Sequence, residues 1–132
     1  MDNQQYPPDL QMLIDLHGHL CVGSAIGYRL SQYALRLLGK GAGLTVYSGG
    51  GGCPIDAIEI LTGCTRGKGT LILTGQQGWG FYDTASEEGF LFTMKKELSR
   101  HNSADRESFI QALLALPDNE IFNVEPFESP AL

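Results

Sequence analysis

An apolar stripe between Ser24 and about Leu38 is the feature that most constrains the fold. Its members recur at the i, i+4, i+7 spacing that is typical of a helix with one face against a core. They are Ile26, Leu30, Tyr33, Ala34 and Leu37. Ser24 is a favoured capping residue at the start of this segment, and Gly39 is a favoured residue after its end. We therefore predict a long helix with one face in the core.

Helices are predicted before this segment and strands mostly after it. A short helix begins at Pro7-Pro8-Asp9 and runs to about residue 16, with an apolar face of Leu10, Leu13, Ile14 and Leu16. Strands are predicted at residues 44–47, 70–74, 81–84, 90–94 and 121–126, and further helices at about 54–61 and 105–116. This order predicts an α+β fold in which N-terminal helices pack on a mainly antiparallel sheet, as a single domain over residues 1–132.

Composition limits the class of partner. The chain has 132 residues, a net charge of −6 and 42% hydrophobic residues, which is typical of a globular domain. An acidic surface disfavours nucleic acid and anionic membranes as primary partners, and no apolar run approaches the ~20 residues of a membrane helix. Residues 1–5 lack the features of a signal peptide, and an odd cysteine count indicates a reducing compartment. A cytoplasmic location is expected.

The segment His17-Gly18-His19-Leu20-Cys21 indicates a metal site. The chain has three histidines and three cysteines, and three of these side chains lie here. Imidazole and thiolate are the preferred ligands of late first-row metals. In an extended segment the i, i+2, i+4 spacing directs all three side chains the same way, and Gly18 and Gly23 argue against a helix. The alternative is a helix end with two solvated histidines and a buried cysteine.

A second reactive segment is the glycine run at residues 49–52 followed by Cys53-Pro54-Ile55-Asp56. Pro54 fits the first position of a helix, which places Cys53 at the N-terminus, where the macrodipole stabilises thiolate. Cys53 is thus a candidate metal ligand or nucleophile, and Asp56 a candidate proton acceptor. The alternatives are a small capping residue and a helix-stabilising acid.

The remaining cysteine and histidine carry less information. Cys64 follows the same helix and either lines the pocket or lies in the core, and a Cys53–Cys64 disulfide is disfavoured across a helix about 12 Å long. The basic turn at residues 63–69 departs from the phosphate-loop spacing and supports at most contact with an anion. His101 is expected in a solvated polar turn.

Three ordered motifs resemble the formylmethanofuran dehydrogenase E-subunit family. They are His17-Gly18-His19-Leu20-Cys21-Val22-Gly23, Cys53-Pro54-Ile55-Asp56-Ala57-Ile58 and Thr62-Gly63-Cys64-Thr65-Arg66-Gly67-Lys68-Gly69. The resemblance implies an α+β protein, often dimeric, with a metal-binding pocket lined by these histidines and cysteines. The family is named after a molybdenum or tungsten enzyme that fixes carbon dioxide as a formyl group. No cysteine follows Cys64, so the C-terminal zinc ribbon of many members is expected to be absent.

These observations together predict a cytoplasmic metal-binding protein. Its expected ligands are His19 and Cys21, then His17, with Cys53 as a wall of the same pocket, and Cys53 and Asp56 are the candidate catalytic residues. Mixed nitrogen and sulfur donors favour zinc over iron or nickel. Three functions remain open: an accessory of a molybdenum or tungsten one-carbon enzyme, a free-standing metal- or cysteine-dependent enzyme, and a metal carrier or sensor. A homodimer is expected, mostly from the resemblance. The glycine-rich run and the aromatic residues Trp79, Phe81 and Tyr82 are candidate contacts, and the alternative for each is the core of the monomer.

Overall fold

Two helices, α1 (Pro8–His17) and α2 (Val22–Leu38), precede the first strand. The computed structural model describes residues 6–39, 43–75, 77–98 and 105–128, so that residues 1–5 and His101 lie outside the described residues. The later helices are α3 (Cys53–Thr62), α4 (Arg106–Ala115) and the short α5 (Asp118–Ile121), and Lys96–Leu98 form a 3₁₀ turn. No helix in these ranges combines the length and apolar character needed to cross a membrane.

The described strands form one five-stranded sheet in the order β2-β1-β3-β4-β5. The strands are β1 (Leu44–Ser48), β2 (Leu71–Leu73), β3 (Trp79–Asp83), β4 (Glu88–Met94) and β5 (Phe122–Pro126). Only the β1–β2 pair among them is parallel, because α3 connects these two strands as a crossover, whereas the other neighbours are antiparallel. The predicted α+β class with a mainly antiparallel sheet is confirmed.

Three phenylalanines form the centre of the core beneath α2. Phe81, Phe92 and Phe122 come from three successive strands of the sheet and are at most 1% exposed. Their rings meet edge to face, with centroids 5.5 Å apart for the Phe81–Phe92 pair and 6.4 Å apart for the Phe92–Phe122 pair, which is a favoured aromatic geometry. Phe81 therefore belongs to the core and is not available for the intermolecular contact that the sequence suggested.

Two residues of the predicted apolar faces are exposed. Leu16 is 67% exposed and Leu37 is 43% exposed. On α1 the buried line through Leu10 and Leu13 continues at position 17, which lies about two full turns after Leu10 and therefore on the same face. Position 16 lies about a third of a turn away from Leu10. The inward line of α2 similarly continues to Leu38, which packs against the core. The important consequence is that His17 occupies the inward face of α1.

Arg29 does not belong to the apolar stripe of α2 but is only 9% exposed. Its guanidinium donates to the carbonyl oxygen of Leu113 at 2.5 Å and to Oδ1 of Asp118 at 2.9 Å. Arg36 also pairs with Asp118. Burial lowers the pKa of Arg29, and the paired carboxylate and carbonyl compensate for the loss of water around the charge. These contacts attach the C-terminal segment to α2.

Two glycines allow α2 and α3 to cross in close contact. A Cβ atom at Gly27 would lie 2.6 Å from the carbonyl oxygen of Pro54 and 2.7 Å from Cβ of Ala57. A Cβ atom at Gly23 would lie 2.8 Å from Cβ of Cys53. Since real Cβ atoms do not approach other atoms so closely, only glycine fits at these two positions. The crossing places the N-terminus of α3, and with it Cys53, against the first turn of α2.

Candidate metal centre

The two helix ends, and not an extended link, bring the predicted ligands together. His17 is the last residue of α1, Gly18 adopts a left-handed conformation with φ +101°, and Cys21 is the N-cap of α2. Of the loop or extended link predicted from His17 to Gly23, only residues 18–21 are non-helical, because α1 includes His17 and α2 begins at Val22. The left-handed turn at Gly18, which glycine adopts without steric cost, reverses the chain and returns Cys21 to the side of His17.

The ligand atoms of His17, His19 and Cys21 all lie within 4.8 Å of one another. The Cys21 Sγ atom is 3.8 Å from Nε2 of His17, and the two imidazole centroids are 4.8 Å apart. Two ligand atoms of one tetrahedral zinc, with bonds of about 2.0–2.3 Å, lie about 3.6 Å apart. The His17–Cys21 separation fits that geometry, and the exposed His19 has a ligand atom within 4.8 Å of the other two. This group could hold a metal ion.

Asp56 holds the imidazole of His17. Its Oδ2 atom lies 2.8 Å from Nδ1 of His17, whose side chain is 9% exposed. A carboxylate in this position accepts the Nδ1 proton and directs Nε2 towards Cys21, so that Nε2 is the nitrogen that would bind a metal after losing its own proton. Hydrogen bonding to Cys21 and then Asp56 raises the pKa of His17, although burial acts in the opposite direction. Asp56, which the sequence suggested as a proton acceptor, therefore orients the candidate metal ligand His17.

The surroundings of Cys21 favour its thiolate form. The Ser24 backbone N–H donates to its Sγ atom at 3.4 Å, while the Ser24 hydroxyl accepts from the Cys21 N–H at 2.9 Å. Burial alone would raise the pKa of Cys21, but hydrogen bonds from Ser24, Cys53 and His17 outweigh it and lower the pKa to about 6. The sequence placed Ser24 as the cap, whereas it is the third residue of α2 and supports Cys21 as the cap. A Cys-x-x-Ser spacing before an apolar stripe is the signal that would have revealed this.

Cys53 lies beside Cys21 at the first turn of α3. Gly52 is the N-cap, so Cys53 is one residue further into the helix than predicted. A hydrogen bond to the Cys21 sulfur is the main cause that raises the pKa of Cys53, and burial adds to it. The pKa of Cys53 is therefore raised and not lowered as its place at the helix N-terminus predicted, because the contact with Cys21 outweighs the backbone hydrogen bond that lowers it.

Cys64 is separate from this group. It is 4% exposed and its thiol donates to the carbonyl oxygen of Leu44 at 3.3 Å, within the main core. All three cysteines are free. Of the two alternatives that the sequence left open for Cys64, the core location is confirmed.

We predict that Cys21 is alkylated faster by iodoacetamide than Cys53 or Cys64 in metal-free protein. Its thiolate fraction should rise through a midpoint near pH 6, whereas an ordinary cysteine titrates near 8.5. The measurement is mass spectrometry of tryptic peptides after timed labelling between pH 5 and 9. Faster labelling of Cys53 at pH 7 would contradict the assignment of the thiolate to Cys21.

Comparison with known proteins identifies the family. The family described as "FmdE, Molybdenum formylmethanofuran dehydrogenase operon" matches residues 16–123. No curated protein matches the chain significantly. A crystal structure of a tungsten formylmethanofuran dehydrogenase FmdE-like protein from Syntrophus aciditrophicus is similar, with a TM-score of 0.73 and 20% identity over 92% of this chain and 71% of that one. At this identity the likeness shows the fold, whereas the family match covers most of the sequence and includes all four candidate ligands. The chain belongs to the FmdE family.

Proposed function

We propose that this protein binds one zinc ion per chain through His17, His19 and Cys21, with Cys53 as the fourth contributor. The observation that carries the proposal is the convergence of three ligand atoms within 4.8 Å at the junction of α1 and α2. Two imidazoles and a thiolate form a donor set that zinc prefers, with iron and nickel as the alternatives. The low pKa of Cys21 supports binding, because protons compete less with the metal for this sulfur near pH 7.

Metal analysis of protein purified without an affinity tag tests this proposal. We expect about one zinc per chain by inductively coupled plasma mass spectrometry, retained on gel filtration and released by a strong chelator. A content below about one tenth per chain, both as purified and after addition of zinc, would contradict it. Cys64→Ala is a suitable control, since Cys64 lies in the core and this variant should keep the metal.

The biological role that we propose is accessory to a molybdenum or tungsten one-carbon enzyme system in the cytoplasm. The support is the family description, which refers to a formylmethanofuran dehydrogenase operon. Copurification of this chain with a molybdenum or tungsten enzyme, lost in a variant without the metal ligands, is the expected result.

A free-standing enzyme is the second candidate, because a surface depression adjoins the site. The depression has a volume of about 400 Å³, and Cys53 and Asp56 are among its lining residues. In such an enzyme a zinc ion with an open position would supply Lewis-acid chemistry, while Cys53 would hold a proton and Asp56 would orient His17. Turnover by the isolated chain would favour this candidate, and reversible metal exchange without turnover would favour a carrier or sensor.

A homodimer remains a prediction. The edge strand β2 exposes Ile72 (38%) and Leu73 (42%), and exposed apolar edges are common sites of association. Closed two-fold pairing is the most frequent oligomer of such chains. Light scattering at tens of micromolar should give about twice the chain mass of 14.3 kDa, and a monomer mass would contradict the prediction.

A further inference from the structure

Arg106, at the first turn of α4, lies where two surface depressions adjoin. The first has a volume of about 380 Å³ and is lined by Cys21, Val22, Gly23, Cys53, Arg106 and Phe109. The second has a volume of about 290 Å³ and is lined by Tyr6, Leu20, Arg106, Glu107, Ile110 and Gln111. Arg106 and the two cysteines of the candidate metal centre therefore line one depression, and the two adjoining depressions are called the groove below.

The chemistry of this groove favours an anion with an apolar body. The Arg106 side chain is exposed, and no described residue forms an ion pair with it. The adjacent Asp105 does not pair with Arg106. Its carboxylate caps α4 by accepting from the Ser108 N–H at 2.8 Å and from the Ser108 hydroxyl at 3.1 Å. Val22 and the small exposed part of Phe109, which is 7% exposed, line the same depression and supply its apolar surface.

The positions of the charged residues favour anion binding in the first depression, which contains the two cysteines. Glu107 lines only the second depression, and no carboxylate is among the described residues that line the first. Cys21, whose low pKa favours the thiolate, also lines the first depression, but its negative charge would be neutralised by the zinc ion of the proposed site. The other depression beside Cys53 contains Arg66, but also Asp56 and Glu59, which repel an anion. Of the depressions that adjoin Cys53, the one with Arg106 is therefore the better anion site.

We propose that the Arg106 depression binds a small organic anion, a carboxylate or a phosphate ester with a flat apolar body, and presents it to Cys21 and Cys53. Arg106 recognises the anionic group through its forked N–H donors, and the apolar lining that Val22 and the edge of Phe109 provide contacts the body. This assignment names the ligand class of the proposed metal centre and rests on that function for its biological meaning, although the contact with Arg106 itself needs no metal.

Calorimetric titration with benzoate, phenyl phosphate and the neutral benzamide tests the proposal, on zinc-loaded and on chelator-treated protein. We expect one of the two anions to bind at least ten-fold more tightly than benzamide, and the tighter one identifies the anionic group. Arg106→Ala should weaken that binding about ten-fold or more, as expected for hydrogen bonds to a charged group. Arg106→Lys should recover part of it.

The matched control is Arg66→Ala, which removes an exposed arginine from the other depression beside Cys53 and should change binding by less than two-fold. The proposal is overturned by equal binding to Arg106→Ala and wild type, by a larger loss in Arg66→Ala, by equal affinity for benzamide, or by no binding at millimolar concentration. If the protein does not take up zinc when zinc is added, but still binds the anion in an Arg106-dependent way, the metal function alone is rejected. A zinc protein without such binding would reject this anion site alone.

Discussion

Replacement of Gly27 by valine is expected to lower the free energy of unfolding by about 3 kcal/mol, at the upper end of what overpacking of a core costs. The first added carbon would lie 2.6 Å from the carbonyl oxygen of Pro54 and 2.9 Å from its Cα atom. These are backbone atoms, so no side-chain rotation can relieve the overlap, and α2 must move away from α3. The higher helix propensity of valine over glycine compensates for only a few tenths of a kcal/mol.

Urea denaturation followed by circular dichroism measures this effect. The control is Gly50→Ala, since a Cβ atom at Gly50 meets no atom within 4 Å and this glycine has no left-handed backbone. The control should stay within about 0.5 kcal/mol of wild type. A loss of less than 1 kcal/mol in Gly27→Val would contradict the view that the close crossing of α2 and α3 is tightly packed.

The sequence was sufficient to predict most elements, because apolar period and helix-stop glycines are local signals. The stripe of α2, its C-cap Gly39, the helix at about 54–61, and the strands at 81–84 and 90–94 were all predicted near their observed positions. The short α5 was not predicted, because its four residues are too few to show a period. The outward position of Leu37 could not be predicted either, because it depends on the direction in which α2 crosses the sheet.

The site was predicted in its composition but not in its geometry. The residue types identified His17, His19 and Cys21 as a group, although the non-helical link is shorter than predicted. Their convergence depends on a single left-handed residue, Gly18, and on the burial of one face of α1 against α3. The protonation states depend on the Cys21–Cys53 contact, which follows from the Gly23 and Gly27 crossing. Such a contact between residues distant in sequence leaves no local pattern.

The double substitution His19→Ala with Cys21→Ser is expected to abolish zinc binding while the fold is retained. It removes one exposed and one half-buried ligand and leaves His17 and Cys53, which are too few for a stable site. Serine at position 21 keeps a side-chain acceptor for the Ser24 N–H, and serine is a preferred N-cap. An alanine there would remove the cap and cost about 1 kcal/mol of helix stability, which would confuse loss of the ligand with loss of the fold.

Metal content after dialysis against a zinc buffer should fall from about one per chain to under one tenth in the double variant, with an unchanged circular dichroism spectrum. Asp56→Asn is expected to have a metal affinity between those of the wild type and the double variant. It keeps the shape of the side chain but removes the charge that faces Nδ1 of His17, and loss of such a partner typically weakens metal affinity by about 10–100-fold. Cys64→Ala should keep full metal content. Stoichiometric zinc in the double variant would place the site elsewhere in the chain, because its two remaining ligands cannot complete a tetrahedral set.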